Sequence, residues 1–251
     1  MRFIDRVAIV TGAGTGIGRA VSLLFAVEGA AVVVNYSRSQ AEAEEVAAEI
    51  QSSGGRAFPC RADVTSEPEV KAMIDAAASR WGRLDILVNN AGWSTRIPHH
   101  QLEDLTDEIW NRTLDTNLRG AFYCVRAALP LLRQNPGGSI VNIASAAAFH
   151  GAGSSIVYGA AKAGVVTMTR SLARALAPDI RVNAVCPGLV HTRFANWPPE
   201  AFERGKQVTP IGRLVTVEEV AQAVLFLADA TGLTGEAIIV DGGLYQLGRS
   251  R

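Results

Sequence analysis

A tyrosine and a lysine four residues apart are the side chains in this sequence best suited to proton transfer. Tyr158 and Lys162 lie in a stretch with a helical pattern, and residues at this spacing share one face of a helix, with Cβ atoms about 5–6 Å apart. A free tyrosine has a pKa near ~10, and a nearby ammonium favours the phenolate. The spacing permits an acid–base tyrosine assisted by the lysine, but by itself it favours a surface pair on an amphipathic helix.

A serine upstream gives this pair a chemical context. Ser145 follows a predicted strand and lies thirteen residues before Tyr158. Open α/β sheets bind ligands at the carboxyl ends of their strands, and a serine hydroxyl there can hydrogen-bond a carbonyl or alcohol oxygen. We therefore interpret Ser145, Tyr158 and Lys162 as one catalytic group, with a strand-end cap as the alternative role for Ser145.

The glycine-rich turn near the start of the chain predicts a nucleotide site. Residues 11–18 read TGAGTGIG and lie between an apolar run and a helical pattern. Glycines let the backbone turn sharply, and the following helix N-terminus offers free N–H groups and a partial positive charge to a pyrophosphate. An ordinary tight turn also uses glycine. The residues expected to contact the cofactor here are Gly12, Thr15, Gly16, Ile17 and Gly18.

The end of the second predicted strand favours NADP(H) over NAD(H). An acid about 20 residues after the glycine turn usually binds the ribose hydroxyls, but residues 35–38 read NYSR. A hydroxyl and a guanidinium suit a 2′-phosphate. We expect Ser37 and Arg38 to contact the cofactor. NAD(H) stays possible, because Arg38 could be a solvated loop residue.

The elements that position these residues alternate along the chain. Short runs rich in valine and isoleucine show little polar alternation, as in strands covered on both faces. The predicted strands are residues 7–10, 31–34, 57–60, 86–88, 139–143, 182–185 and 237–240. The predicted helices are residues 18–28, 40–52, 67–80, 107–132, 157–176 and 217–227. This order predicts an α/β fold, a Rossmann-like doubly wound three-layer sandwich around a seven-stranded parallel sheet.

One NAD(P)-binding domain of residues 1–251 accounts for this pattern. The sequence contains no evident linker, low-complexity segment or repeat beyond the alternation. Residues 187–213 interrupt the alternation of strands and helices, and they contain four prolines. A stretch of this length is too long for an ordinary turn. We expect it to form a lid over the substrate.

Charge and composition restrict the partners. Lys+Arg and Asp+Glu are equal at 24 each, so we expect no binding to nucleic acid or to an anionic membrane. The three cysteines, Cys60, Cys124 and Cys186, form no CxxC, and no metal site is expected. No apolar run reaches the roughly 18–20 residues needed to span a bilayer, and the N-terminus is too charged for a signal peptide. We expect a cytoplasmic protein that acts on a small molecule.

With its T-G-x-x-x-G-x-G turn and its Ser…Tyr-x-x-x-Lys spacing, the chain resembles the short-chain dehydrogenase/reductase family. Further motifs match the family in order over nearly the whole chain. The resemblance implies additional cofactor contacts near the adenine, along the dinucleotide and at the nicotinamide carboxamide. In that order these contacts are Asp63 and Val64, then Asn90, Ala91 and Gly92, then Pro187, Gly188, Val190 and Thr192.

The resemblance also implies the reaction, which is hydride transfer between a nicotinamide and a carbon that bears oxygen. In the reducing direction, Ser145 would hydrogen-bond the carbonyl and Tyr158 would donate a proton to the developing alkoxide. Lys162 would orient the nicotinamide ribose and lower the pKa of Tyr158. Asn117 matches the family's asparagine whose backbone carbonyl holds a water beside the lysine; its plain alternative is a polar residue that kinks a helix.

The substrate is less determined than the reaction. The overall pattern is most similar to the family's 3-oxoacyl-[acyl-carrier-protein] reductases, with sugar dehydrogenases nearby. Such reductases place basic residues at two exposed positions, and the matching segments here contain Arg133 and Asp179, so the second is acidic. We expect a moderately apolar pocket. Its candidate walls are Trp93, residues 146–153 with Phe149 and His150, Phe194 and Trp197.

Two further expectations concern the protein as a whole. A non-catalytic nucleotide-binding regulator on the same fold is the rival to an enzyme, because fold does not fix function. The intact Ser145, Tyr158, Lys162 and Asn117 favour the enzyme. The apolar helical stretches 107–132 and 157–176 could pack against copies of themselves, and because relatives are commonly tetramers we expect a homotetramer. His99 and His100 are expected in a solvated loop.

Overall fold

Seven short, apolar segments form one parallel sheet in the computed structural model, which describes residues 1–248. The strands are β1 (Val7–Val10), β2 (Ala31–Tyr36), β3 (Arg56–Arg61), β4 (Ile86–Asn89), β5 (Gly138–Ile143), β6 (Ile180–Pro187) and β7 (Ala237–Val240). Their order across the sheet is β3-β2-β1-β4-β5-β6-β7, and every neighbouring pair is parallel. The predicted doubly wound, seven-stranded parallel sheet is confirmed. Residues 249–251 of the expected domain lie outside the described residues.

Helices cover both faces of this sheet. The helices of four residues or more are α1 (Gly16–Val27), α2 (Gln40–Ser52), α3 (Glu67–Trp81), α4 (Asp107–Leu114), α5 (Gly120–Leu132), α6 (Ala147–His150), α7 (Ile156–Leu176), α8 (Pro199–Val208), α9 (Val217–Asp229) and α10 (Leu244–Leu247). One core joins α1, α2 and α9 to the sheet, and a second joins α3, α5 and the end of α7 to its other face. Alternate residues of β1 enter opposite cores, Ala8 the first and Ile9 the second, as the period of a strand requires.

The predicted uninterrupted helix 107–132 is wrong at one point. A π-helical turn, Asp115–Arg119, separates α4 from α5. Its central residue, Asn117, is buried, and its Nδ2 donates to the backbone oxygens of Thr113 at 2.8 Å and Trp93 at 2.6 Å. A side-chain amide that binds backbone carbonyls offers the chain an alternative to the regular helical ladder. Asn117 therefore lies within a helix irregularity, as its plain alternative expects, and the role of its backbone carbonyl beside Lys162 stays a prediction.

The stretch 187–213 is more regular than its prolines indicated. Residues 199–208 form α8, with Pro198 at the N-cap and Pro199 at the first helical position. Proline is favoured there because the missing N–H would have no helical partner and φ is already set. The prolines that argued for irregular structure instead begin a helix.

The chain runs from the neighbouring central strands β1 and β4 to opposite edges of the sheet. After β1 it continues to β2 and β3, and after β4 it continues to β5, β6 and β7. The side-chain oxygen of Thr11, just after β1, accepts hydrogen bonds from the backbone N–H groups of Asn90 and Ala91, both at 2.9 Å. The Asn90 amide donates to the backbone oxygens of Thr11 at 2.8 Å and Gly12 at 3.0 Å. This switch point is where open α/β sheets bind ligands, and here four hydrogen bonds fix its two sides.

Asp85 anchors the other end of the same strand pair, and its removal should destabilise the fold. Its buried carboxylate accepts from the Val7 N–H at 2.8 Å and from the Arg83 guanidinium at 2.7 and 2.9 Å. Asp85→Ala leaves a buried N–H and a cation without their acceptor, so we expect a loss of about 2–4 kcal/mol in the free energy of unfolding. Urea denaturation measures this.

The matched control is Asp75→Ala, which breaks an exposed ion pair with Lys71 on α3. Exposed pairs of this kind contribute about 0–0.5 kcal/mol. Equal losses for the two variants would contradict the role given to Asp85.

Candidate active site

One cavity of about 1650 Å³ runs along the carboxyl edge of the sheet. Most of the predicted site residues line it. They are Gly12, Thr15, Gly16, Ile17, Ser37, Arg38, Asp63, Val64, Asn90, Ala91, Gly92, Ser145, Tyr158, Lys162, Pro187, Gly188, Val190 and Thr192. Two predicted residues, Gly18 and Asn117, do not line it. They lie behind its wall, and their contacts are with the backbone that forms the cavity.

The glycine turn has the shape that a pyrophosphate needs. Gly12 and Gly16 have φ values of +61° and +55°, in the region that glycine occupies without strain. The N-cap of α1, Thr15, makes no side-chain capping hydrogen bond, so the first N–H groups of α1 are left for an anion. A Cβ on Gly18 would lie 2.6 Å from the Asn90 amide nitrogen and would also contact the Gly12 oxygen. Gly18 therefore permits close packing beneath the turn.

The end of β2 carries an amide, a hydroxyl and a guanidinium where an acid that binds the ribose hydroxyls would usually stand. Asn35 is buried; its Oδ1 accepts from the Gly12 N–H at 3.1 Å, and its Nδ2 donates to the oxygens of Cys60 and Ala62 at 3.2 and 3.1 Å. This amide ties the glycine turn to β3. Ser37 and Arg38 follow, exposed on the cavity rim, and within residues 1–248 no carboxylate forms an ion pair with Arg38.

Helix α7 presents Tyr158 and Lys162 to the cavity from successive turns. Ser155 caps the helix by accepting the Tyr158 N–H at 3.3 Å. The Tyr158 side chain hydrogen-bonds Ser145, which follows the end of β5. The Lys162 Nζ donates to the Ile143 oxygen at 2.8 Å and lies 5.7 Å from the centre of the Tyr158 ring. The structure thus brings Ser145, Tyr158 and Lys162 together.

Burial governs the acid–base properties of these groups. It raises the pKa of Tyr158 to about 12, an effect partly offset by the hydrogen bond with Ser145. It lowers the pKa of Lys162 to about 8. The expected lowering of the Tyr158 pKa by Lys162 is therefore not found in the protein alone. Both groups lie in one low-dielectric wall, and that environment disfavours the phenolate and the ammonium alike.

Cys186 is a neighbour that the sequence reasoning missed. The thiol lies near the end of β6, is fully buried, and has its pKa raised to about 12 by that burial. The nearby Lys162 ammonium partly offsets this rise in the pKa of Cys186. A signal was present, since Cys186 precedes Pro187 at a strand end, but cysteines were considered only as metal or redox groups.

Asn117 holds the turn after β4 in place. Besides the amide bond to the Trp93 oxygen, its Oδ1 is buried and has no hydrogen-bond partner in the described part of the chain. A Cβ on Gly92 would lie 2.9 Å from that oxygen, so only glycine fits between Asn117 and the cavity.

The segment after β6 closes over the cavity. The Phe194 ring lies 5.6 Å from the Tyr158 ring, and a Cβ on Gly16 would lie 3.4 Å from the Thr192 methyl. This segment therefore contacts both α7 and the glycine turn. Trp93, His150, Phe194 and Trp197 line the cavity, as expected for substrate walls. Phe149 is not among the lining residues and instead stacks on Tyr245 at 5.4 Å. His99 and His100 are exposed in a turn.

Comparison with known proteins agrees with this geometry. Residues 12–245 match the family described as enoyl-(acyl carrier protein) reductase. The 3-oxoacyl-[acyl-carrier-protein] reductase FabG of Thermotoga maritima is 37% identical, over 97% of this chain and 99% of its own. A Brucella melitensis structure described as a short-chain dehydrogenase/reductase of the glucose/ribitol dehydrogenase type superposes with a TM-score of 0.91, at 36% identity and 98% of each chain.

A second solved structure carries ligands. The 7α-hydroxysteroid dehydrogenase in complex with NADH and 7-oxo glycochenodeoxycholic acid superposes with a TM-score of 0.90 at 37% identity, over 96% of this chain and 95% of its own. The chain belongs to the short-chain dehydrogenase/reductase family, and it is an oxidoreductase of that family. Across residues 1–248, no helix is long and apolar enough to cross a membrane.

The lowered pKa of Lys162 predicts a particular dependence of stability on pH. Its ordinary value is 10.5, and burial lowers it to about 8. Between these values the unfolded chain binds more protons than the folded protein, so the stability of the wild type relative to Lys162→Met should rise with pH. The total rise should be about 3 kcal/mol, and below about pH 8 the difference should be flat.

Urea denaturation of both proteins from pH 7 to 10.5 tests this, since the difference cancels the groups they share. Lys71→Met, at an exposed lysine on α3, should give a flat difference throughout. A flat difference for Lys162→Met as well would show that its pKa is not lowered.

Proposed function

We propose that Ser145, Tyr158 and Lys162 interconvert a carbonyl and an alcohol together with NADP(H) or NAD(H). The observation that carries this proposal is the Ser145–Tyr158 hydrogen bond at the carboxyl end of β5, on the wall of the cavity that the glycine turn also lines. A regulator that only binds a nucleotide has no need of a proton donor and a hydroxyl aimed at one point. The enzyme is therefore favoured over the regulator.

The residues divide the work as follows. The bound nicotinamide supplies or accepts the hydride. In reduction, Ser145 donates a hydrogen bond to the substrate carbonyl, and Tyr158 gives its proton to the developing alkoxide. A raised pKa keeps Tyr158 protonated for this step. In oxidation, Tyr158 must accept the proton, and the positive charges of Lys162 and of the oxidised nicotinamide then favour the phenolate.

The residues that line the cavity fit a dinucleotide. Gly12, Gly16 and the uncapped start of α1 would hold the pyrophosphate, and Asp63 with Val64 would border the adenine. Asn90, Ala91 and Gly92 would lie along its length, and Pro187, Gly188, Val190 and Thr192 would meet the carboxamide. Ser37 and Arg38 on the rim support a preference for NADP(H). NAD(H) remains the second candidate, as the NADH-bound 7α-hydroxysteroid dehydrogenase is a structural neighbour.

The cavity walls support a substrate with an apolar body next to its carbonyl or alcohol. Trp93, Phe194 and Trp197 supply aromatic surface beside Tyr158, within a lid that we place at residues 187–213. Similarity to FabG makes a 3-oxoacyl group on a carrier protein the alternative substrate. Docking of an acidic carrier is weakened by the exposed, acidic Asp179, although Arg133 is exposed at the first position. A cytoplasmic location stays a prediction.

A screen of ketones, sugars and 3-oxoacyl thioesters against NADPH and NADH tests the proposal directly. We expect reduction of at least one small ketone, with a higher kcat/KM for NADPH. Binding of a cofactor without turnover of any compound in the panel would favour the regulator. An equal or higher kcat/KM with NADH would overturn the NADP(H) preference alone.

Replacing Tyr158 with phenylalanine should remove turnover and spare the cofactor. The variant keeps the ring that contacts Phe194 but has no proton to give, and general acid catalysis contributes about 10²–10⁴-fold. We expect kcat to fall at least about 100-fold while the Kd for NADPH, measured by its fluorescence, changes less than about twofold.

The control is Tyr123→Phe, a hydroxyl deletion on α5 next to Arg126 and outside the cavity. It should retain wild-type kcat. Near-normal turnover in Tyr158→Phe would refute the assignment of the proton donor.

An apolar groove on α5 and α7 supports the expected homotetramer. It is lined by Leu118, Phe122, Gly164 and Met168, and the Phe122 ring is 40% exposed. Phe122→Glu would place a charge in this groove, so we expect the self-association constant to fall at least about 100-fold. Light scattering after size exclusion should then report smaller assemblies. Leu102→Glu, at an exposed leucine before α4, should leave the wild-type mass unchanged, and an unchanged mass for Phe122→Glu would exclude this interface.

A further inference from the structure

One ion pair joins the lid to the opposite side of the cofactor groove. Arg193 follows Thr192 in the lid, and its Nη2 donates to the Glu42 Oε1 at 3.0 Å. Glu42 lies in the first turn of α2, four residues after Arg38. The two partners are 151 positions apart in the chain, and both line the same cavity. The pair therefore connects the segment over the nicotinamide end with the rim where a 2′-phosphate would be recognised.

The surrounding backbone fixes where this connection passes. The Thr192 methyl faces the Gly16 position, and Gly14 packs against Ser39 and Ala43 at the start of α2, with its Cβ position 3.1 Å from atoms of both. The lid, the glycine turn and α2 thus meet in sequence across the groove. The glycine turn itself contributes no cation, since residues 11–18 read TGAGTGIG. Arg193 brings a guanidinium to the same rim from another part of the chain.

The charges at the rim explain why the pair matters. Arg193 lowers the pKa of Glu42 by hydrogen-bonding its carboxylate, and a glutamate is ionised at neutral pH in any case. Without Arg193, Glu42 would be an unpaired negative charge four residues after Arg38 in the chain, and it would repel a 2′-phosphate. The pair is accessible, since the two side chains are 76% and 37% exposed, and exposed ion pairs are weak. A phosphate can therefore compete for the guanidinium, a planar group that binds phosphate oxygens through several N–H donors.

We propose that Arg193 is a specificity-determining residue that Glu42 holds over the groove, and that the 2′-phosphate of NADP(H) takes the guanidinium from Glu42. NAD(H) has no such phosphate and leaves the Arg193–Glu42 pair intact. Among residues 1–248, Glu42 is the carboxylate with which Arg193 forms an ion pair. Glu42 is therefore the group that loses its ion-pair partner when the 2′-phosphate binds Arg193. This inference rests on the NADP(H) preference proposed above and adds the lid to the residues that read the cofactor.

Binding measurements separate this role from a structural one. The Kd values for NADPH and NADH are measured by fluorescence titration for the wild type, Arg193→Ala, Arg193→Lys, Glu42→Gln and the double variant. Arg193→Ala should weaken NADPH about tenfold, as expected for the loss of a charged contact together with exposure of Glu42, and change NADH less than about twofold. Glu42→Gln should tighten NADPH about two- to threefold, Arg193→Lys should restore part of the loss, and the double variant should fall between the single variants.

Arg204→Ala is the matched control, because Arg204 is an exposed arginine on α8 and does not line the cavity. It should leave both Kd values unchanged. Equal weakening of NADPH and NADH by Arg193→Ala would assign Arg193 to the pyrophosphate that both cofactors share and would overturn the proposal, as would no weakening of either. Arg38→Ala distinguishes the two levels of inference. If Arg38→Ala loses NADPH binding and Arg193→Ala does not, the role of Arg193 is refuted and the NADP(H) preference stands. If the wild type binds NADPH no more tightly than NADH, the NADP(H) preference is refuted as well.

Discussion

The hydrogen bonds between Thr11 and the Asn90–Ala91 backbone are the constraint on which the site depends. The Thr11 hydroxyl accepts two N–H groups and donates to the Val88 oxygen at 3.3 Å, which uses its full capacity. Thr11 lies between the ends of β1 and β4, and from these two strands the chain continues towards opposite edges of the sheet. A parallel sheet leaves a crevice at that point, and without these bonds the glycine turn and the segment after β4 could move apart. The groove is thus set by the Thr11 hydroxyl, which does not line the cavity, together with the Asn90 amide, which donates to the backbone of Thr11 and Gly12.

Burial shapes the chemistry of the site more strongly than proximity. Helical spacing places Lys162 near Tyr158, but desolvation raises the pKa of Tyr158 and lowers the pKa of Lys162, so it outweighs the effect of their proximity. The protein alone therefore favours a neutral phenol, the form needed to give a proton to a carbonyl. Oxidation requires the phenolate, and its stabilisation depends on positive charge that arrives with the oxidised cofactor. The environment of the protein alone therefore supports reduction, and the same environment with the oxidised cofactor bound supports oxidation.

The sequence predicted the sheet and the proximity of Ser145, Tyr158 and Lys162, because both depend on local patterns. Buried strands read as short apolar runs, and α7 carries Tyr158 and Lys162 at the spacing of one helical turn. The π-helical turn at Asn117 was missed because it depends on a tertiary contact, the bond from the Asn117 amide to the Trp93 oxygen. Helix α8 was missed because prolines at its start resembled breakers. The Arg193–Glu42 pair has no local signal, since its partners are 151 positions apart in the chain.

The π-helical turn has a consequence for how this chain can tolerate insertions and deletions. Each residue of an α-helix turns the chain by about 100°, and a π turn carries one residue more than a regular turn. Deleting one residue from 115–119 would remove that extra residue and leave a regular turn, so the helix after it would keep its orientation. Cys124, Val125 and Ala128, which α5 buries, would stay buried, whereas the same deletion inside α5 would rotate the residues after it by about 100°. The π turn is thus the point in this segment where the chain can lose a residue without turning the buried face of α5 away from the core.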